Sequence, residues 1–221
     1  VVLFVYRRPE HTLRTIGALA ENSLARRTTL IVYSDAPRDE RSAAAVQEVR
    51  RILRQIEGFA RVVVRERSHN WGLSRSLTSG VQEVLDEYDQ AIVLEDDLEV
   101  SGFFLEYMNS ALDLYRSDDS VASIHGYRYP GHRALPETFF LRGADCWGWG
   151  TWSRAWAHYH SDGGYLLKQL VRRKEVRAFN FDNAFPFSKM LRAQVEGRVD
   201  SWAIRWYASA FIDGMFTLYP G

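Results

Sequence analysis

The sequence predicts an α/β domain with a doubly wound, mostly parallel sheet. Three observations predict it. Short apolar runs alternate with amphipathic stretches long enough to be crossover helices. The runs are continuously apolar, as strands covered on both faces are. Polar residues gather where successive runs end, the edge at which such sheets bind ligands.

Residues 1–6, apolar with β-branched and aromatic side chains, read as a buried strand. Pro9 and Glu10 open a helix to about residue 21, proline being suited to a first turn. Residues 29–33 are the second strand. A helix over residues 38–57 follows, with Val46, Val49, Leu53 and Ile56 on one face and Gly58 as its stop. Residues 61–65 are the third strand. Leu73, Leu77, Val81 and Val84 recur at helical spacing, giving a third helix to about residue 87. Residues 91–94, 102–117 and 121–124 continue as strand, helix and strand. Beyond His125, aromatics, glycines and prolines become dense and the alternation lapses. Two later helices are expected, one ending near Gly197 and one over residues 203–211.

The 221 residues suit one domain, and 46% are hydrophobic, enough for a sizeable core. The 28 basic and 28 acidic residues cancel, which argues against a nucleic acid partner. Only three of the basic residues are lysines, a mark of composition rather than function. Cys146 is the single cysteine, so no intramolecular disulfide forms, which fits a reducing, cytoplasmic setting. Residues 203–219 are apolar but broken by Arg205 and Asp213, so no transmembrane segment is expected. The chain opens inside an apolar run and closes on Tyr219-Pro220-Gly221, which reads as a fragment of a longer polypeptide.

Four groups of residues carry chemistry. Leu94-Glu95-Asp96-Asp97-Leu98 places three carboxylates directly after the fourth strand. Hard oxygen ligands suit Mn²⁺ or Mg²⁺, which take one or two carboxylates plus substrate phosphates. A solvated acidic turn is the plainer alternative. Polar pairs follow the earlier strands: Arg7 and Arg8, Ser34 and Asp35, His69 and Asn70. Arginine forks suit a diphosphate, and a carboxylate such as Asp35 accepts from a base N–H or a ribose hydroxyl. Singly, Asp35 could start a turn with Pro37, and Asn70 could cap the next helix.

The third group is Cys146-Trp147-Gly148-Trp149-Gly150-Thr151-Trp152 with Trp156, holding four of the seven tryptophans. Flat rings pack on sugar C–H faces, and glycines admit a close ligand. A tryptophan core is the alternative. The fourth is Asp200-Ser201-Trp202. Asp200 reads either as a general base or as the N-cap of the helix after it.

Together these features resemble GT-A glycosyltransferases, in particular N-acetylglucosaminyltransferase I-like enzymes and related bacterial sugar transferases. The Arg7-Arg8-Pro9 turn, Ser34-Asp35, His69-Asn70-Trp71-Gly72 and Glu95-Asp96-Asp97 stand in the expected order, the last as a variant of the Asp-x-Asp metal motif. Trp147-Gly148-Trp149-Gly150 is similar to the acceptor loop of galactosyltransferases, but Thr151-Trp152 stands where those carry acidic residues.

The resemblance implies a metal-dependent, inverting transfer of a hexosyl or N-acetylhexosaminyl unit from a UDP-sugar to a glycan or glycolipid. Residues 1–125 would bind the donor and residues 126–221 the acceptor. Arg8 would meet the diphosphate or ribose, Asp35 the uracil, His69 and Asn70 the nucleotide and Asp96 the ribose. Asp97 would be the one direct protein ligand to Mn²⁺ or Mg²⁺, with Glu95 supporting the nucleotide or donor sugar.

Trp147, Trp149 and Trp202 are expected to line the acceptor subsite. Asp200 is expected to be the general base, partly desolvated among aromatics, with Asp145 its main competitor over Asp162, Asp182 and Asp213. A cytoplasmic enzyme, peripheral to the inner membrane face if attached at all, is the corresponding location. A sugar nucleotidyltransferase or a dinucleotide-dependent dehydrogenase would need glycines after the first strand, where Tyr6-Arg7-Arg8-Pro9 stands. The surviving rival is a non-catalytic carbohydrate- or nucleotide-binding module of the same fold.

Overall fold

The computed structural model describes residues 1–130 and 135–221. The first half follows the expected alternation. Strand β1 (Val2–Val5) leads to helix α1 (Pro9–Ala20), and β2 (Thr29–Ser34) to α2 (Glu40–Leu53). Strand β3 (Arg61–Glu66) then precedes α3 (Leu73–Glu87), and β4 (Gln90–Glu95) precedes α4 (Phe104–Leu114) and β5 (Val121–His125). Helix α2 is shorter than its pattern. Asp39 and Ser42 close a capping box at its start, and it ends at Leu53, five residues before Gly58.

Residues after His125 add β6 (Thr138–Leu141), β7 (Trp149–Trp152), short α5 (Ser153–Trp156), α6 (Gly163–Arg172) and short α7 (Val176–Phe179). Helices α8 (Phe187–Val195) and α9 (Trp202–Ile212) and strand β8 (Phe216–Pro220) complete the described chain. The strand order is β3-β2-β1-β4-β7-β5-β8-β6. Strands β3, β2, β1 and β4 run parallel, as does β5 with β8. Strand β7 is antiparallel to both β4 and β5, and β6 to β8.

The insertion of β7 decides where the second half meets the first. Val93 of β4 pairs with Trp149 and Ile92 with Gly150, so residues 146–148 lie beside the end of β4. The two faces of β7 are covered differently. Trp149 stacks on Trp202 at 5.5 Å and packs against Trp156 and Trp206, the layer of α5 and α9. On the other face a Cβ on Gly150 would meet Met108 and Leu112 of α4 at 3.0 and 3.1 Å. That glycine makes room for a helix, not for a ligand.

Among the described residues no helix is long and apolar enough to cross a membrane.

Candidate active site

A cavity of about 400 Å³ opens beyond the carboxyl ends of β1, β2 and β4 and the loop after β3. Tyr6, Arg7, Arg8, Asp35, Arg38, Asn70, Glu95 and Asp96 supply its polar lining. Its size is ordinary for a small-molecule site. Helix α3 starts at its wall with Gly72, whose φ of 74° suits glycine, and no side chain caps it. The unpaired N–H groups of that first turn form a ready anion site.

The acidic turn is held by Arg8, which donates to Asp96 through one nitrogen and to Asp97 Oδ2 at 3.0 Å through another. Asp96 is buried. The Tyr6 N–H also donates to its Oδ2, and the Thr15 hydroxyl donates to its carbonyl. Asp97 is open, with 44% of its side chain exposed. Glu95 is pushed up to about 7, first by burial and then by the charges of Asp97 and Asp96. One guanidinium therefore leaves the three acids short of positive charge.

Glu95 yields a pH-dependent prediction for the metal-free protein. Its folded pKa lies above the usual value of 4.5, so its ionisation destabilises the fold. The penalty grows as pH rises from about 4.5 and is complete above about 7. Glu95→Gln is therefore expected to raise Tm at pH 8 and leave it nearly unchanged at pH 4.5, measured in chelator. An equal shift at both values would remove the charge explanation.

Asp35 and Asn70 both line the cavity and are fixed there by hydrogen bonds. Asp35 Oδ1 accepts from the Ala36 and Trp71 N–H groups, each at 2.9 Å, and Oδ2 accepts from Gly72 at 2.9 Å and Trp71 at 3.2 Å. Three backbone N–H groups thus hold the carboxylate in place at the cavity wall. Asn70 donates to the Ala36 carbonyl at 2.8 Å rather than capping α3. The two residues latch the loops after β2 and β3 together. Trp71 completes the latch between the guanidiniums of Arg67 and Arg75, 3.9 and 4.4 Å from its ring. His69 is exposed and outside the pocket lining. Its Nε2 takes the Trp71 indole N–H at 2.9 Å.

The aromatic group divides. Trp147 is 51% exposed, whereas Trp149 is 1% and Trp202 3% exposed. Trp149 and Trp202 cannot touch an acceptor, and their assignment is corrected to core packing. Trp147 sits edge-on to Tyr127 at 5.2 Å and close to Tyr129, two half-open rings the sequence reading passed over.

Asp145 and Asp200 flank this region. Asp145 Oδ2 accepts from the hydroxyls of Tyr129 and Tyr219 at 2.9 and 3.1 Å. Asp200 does not cap α9, since Ser201 accepts from the Ile204 N–H in that role. Its side chain is 71% exposed, so the desolvated setting expected for it is absent. Arg205 joins Asp200 to the donor side: it pairs with that carboxylate at 3.2 Å and also donates to the Ser74 hydroxyl in the first turn of α3. Of the other acids, Asp162 caps α6, Asp182 pairs with Arg177, and Asp213 pairs with His158.

No curated protein matches the sequence. Similar solved structures include S. aureus TarS 1-349, at 13% identity and a TM-score of 0.41 over 59% of this chain and 38% of that one. The chain thus spans well under half of that protein. Another is the mannosyltransferase PcManGT from Pyrobaculum calidifontis in complex with GDP-Man and Mn²⁺, at 11% identity and a TM-score of 0.43 over 95% of this chain and 73% of that one. The family model described as Glycosyl transferase family 2 matches residues 1–189, from β1 through the acidic turn and β7 into α8. The match does not single out the N-acetylglucosaminyltransferase I-like group. With strands β1 to β7, the acidic turn and most of the sequence falling inside one match, the chain belongs to glycosyl transferase family 2 and has the GT-A fold.

Proposed function

We propose that the protein transfers a hexosyl or N-acetylhexosaminyl unit from a nucleoside diphosphate sugar to an acceptor hydroxyl, with inversion. The observation that carries this is the Arg8-braced acidic turn opening onto a cavity lined by Arg7, Arg8 and Arg38. The guanidiniums and the uncapped start of α3 suit a diphosphate. Asp96, fixed and buried, positions the turn beneath the ribose. Residues 1–125 supply this donor side, and residues 126–221 the acceptor side.

A divalent cation, Mn²⁺ or Mg²⁺, fits this site through Asp97. Among the described residues no three His, Cys, Asp or Glu side chains are grouped to hold an ion. One open carboxylate plus substrate phosphates is the ligand set these hard cations use. Bound there, the ion would offset the charge that builds on the departing diphosphate. The acceptor oxygen attacks the anomeric carbon opposite that group, and its proton passes to a carboxylate. We assign that carboxylate to Asp200, which is open and adjoins both the α3 wall, through Arg205, and the Ser201 side of the acceptor region. Asp145 is less free, with two tyrosine hydroxyls on one oxygen.

A thermal-shift panel of UDP-, GDP- and CDP-sugars with and without Mn²⁺ tests the reading, because a ligand that binds only the folded state raises its stability. Stabilisation by a UDP-sugar that needs Mn²⁺ is expected. No response to any of them would overturn it, and binding without turnover would favour a non-catalytic module. Asp200→Asn is expected to lower transfer by about a hundredfold or more while donor binding persists. Near-normal transfer in Asp200→Asn with loss in Asp145→Asn would move the base to Asp145.

A further inference from the structure

A second cavity of about 160 Å³ lies beside the acidic turn, lined chiefly by Asp145, Trp147, Phe187, Met190, Ile204 and Tyr207. Cys146, also of its lining, lies within reach of the charges of Glu95 and Asp97, which puts the cavity near the acidic turn. Residues 145–147 run into β7, and β7 pairs with β4, which ends at Glu95. Its walls are an indole, a phenyl, a thioether, an alkyl group and a phenol. The Tyr207 hydroxyl donates to the Phe179 carbonyl at 2.7 Å, so the cavity meets its ring and not its polar atom. The Ser201 hydroxyl, also at this cavity, already accepts from the Ile204 N–H. Asp145 is the one ionisable carboxylate of the lining.

The rim is apolar as well. Met190 is 40% and Phe185 48% exposed, and Phe185 packs on Phe187 at 4.6 Å. Next to it, Phe181, Asp182 and Asn183 take successive left-handed conformations, with φ of 49, 53 and 71°. Asp and Asn adopt this region readily, whereas a bulky Phe does so only under constraint. The turn is clamped by Asn180, which accepts from the Ser188 N–H at 2.8 Å and donates to its hydroxyl. Phe181 is thereby held over Tyr207.

A cavity with apolar walls, opening beside a polar reaction centre, selects a ligand with the same division. We infer that the acceptor is amphipathic: a sugar whose hydroxyl faces the acidic turn and whose ring-sized apolar aglycone enters the cavity bounded by Trp147, Phe187, Met190 and Tyr207. The inference rests on the proposed sugar transfer for the position of the hydroxyl. An apolar cavity of about this volume accommodates a benzene ring.

The test compares phenyl β-glucoside with methyl β-glucoside, which share the sugar and differ in the aglycone. Saturation-transfer NMR titrations, run on the whole chain with Mn²⁺ and UDP present, read binding without needing turnover. The phenyl glucoside is expected to bind about tenfold or more tightly than the methyl glucoside, with its aromatic protons in contact. Met190→Glu and Trp147→Ala, both at exposed side chains, are each expected to erase that preference. Equal binding of the two glucosides, or a preference unchanged in both variants, overturns the inference. The UDP-dependent thermal shift is read on the same samples. Its absence with the phenyl preference intact would count against sugar transfer and not against the cavity.

Discussion

Asp97→Ala is expected to lower transfer roughly a thousandfold and to abolish Mn²⁺-dependent binding of the donor nucleotide. The magnitude follows from removing the one open carboxylate through which a cation would offset charge on the leaving diphosphate, a contribution of several kcal/mol. Stability should change little, because Asp97 is 44% exposed and its bond to Arg8 lies at the surface. Arg8 would keep its contact with Asp96. Calorimetric titration of UDP with and without Mn²⁺, beside steady-state transfer, separates the outcomes. Metal-dependent binding at wild-type affinity in Asp97→Ala would remove this residue from the site. A large fall in Tm would instead make its role structural.

Trp149→Ala is expected to destabilise the fold by about 3–5 kcal/mol, the range for truncating a large buried aromatic. Trp149 is 1% exposed and in contact with Trp156, Trp202 and Trp206. Its loss leaves a cavity between β7 and the layer of α5 and α9 that those neighbours cannot refill. Urea unfolding measures it, with a lower midpoint and little change in slope. Trp147→Ala, two residues away and half exposed, should cost far less stability and act on acceptor binding. A raised acceptor KM with unchanged stability in Trp149→Ala would return Trp149 to the acceptor surface.

These two tryptophans mark where sequence reading runs out. Trp147 and Trp149 have the same parity, so an extended strand would send both to one face. Gly148 between them adopts a φ of 67°, which breaks the pleat and turns Trp147 outward. Strand β7 is buried on both faces along its whole length, so it carries no polar alternation from which its inner side could be read.

Much of the donor side was determined by local sequence alone. Continuous apolar runs set β1 to β5, helical periodicity set the elements between them, and the end of β4 had to carry Glu95, Asp96 and Asp97. Those signals act within a few residues of themselves. Tertiary structure decided the rest, because it pairs groups far apart in the chain. The sequence around Asp35 does not show that Trp71 and Gly72, thirty-six and thirty-seven residues later, donate to its carboxylate and fix it in the cavity wall. The apposition of Asp145 and Trp147 with the acidic turn exists because β7 inserts antiparallel between β4 and β5, a register set by pairing across the sheet and not by any local propensity.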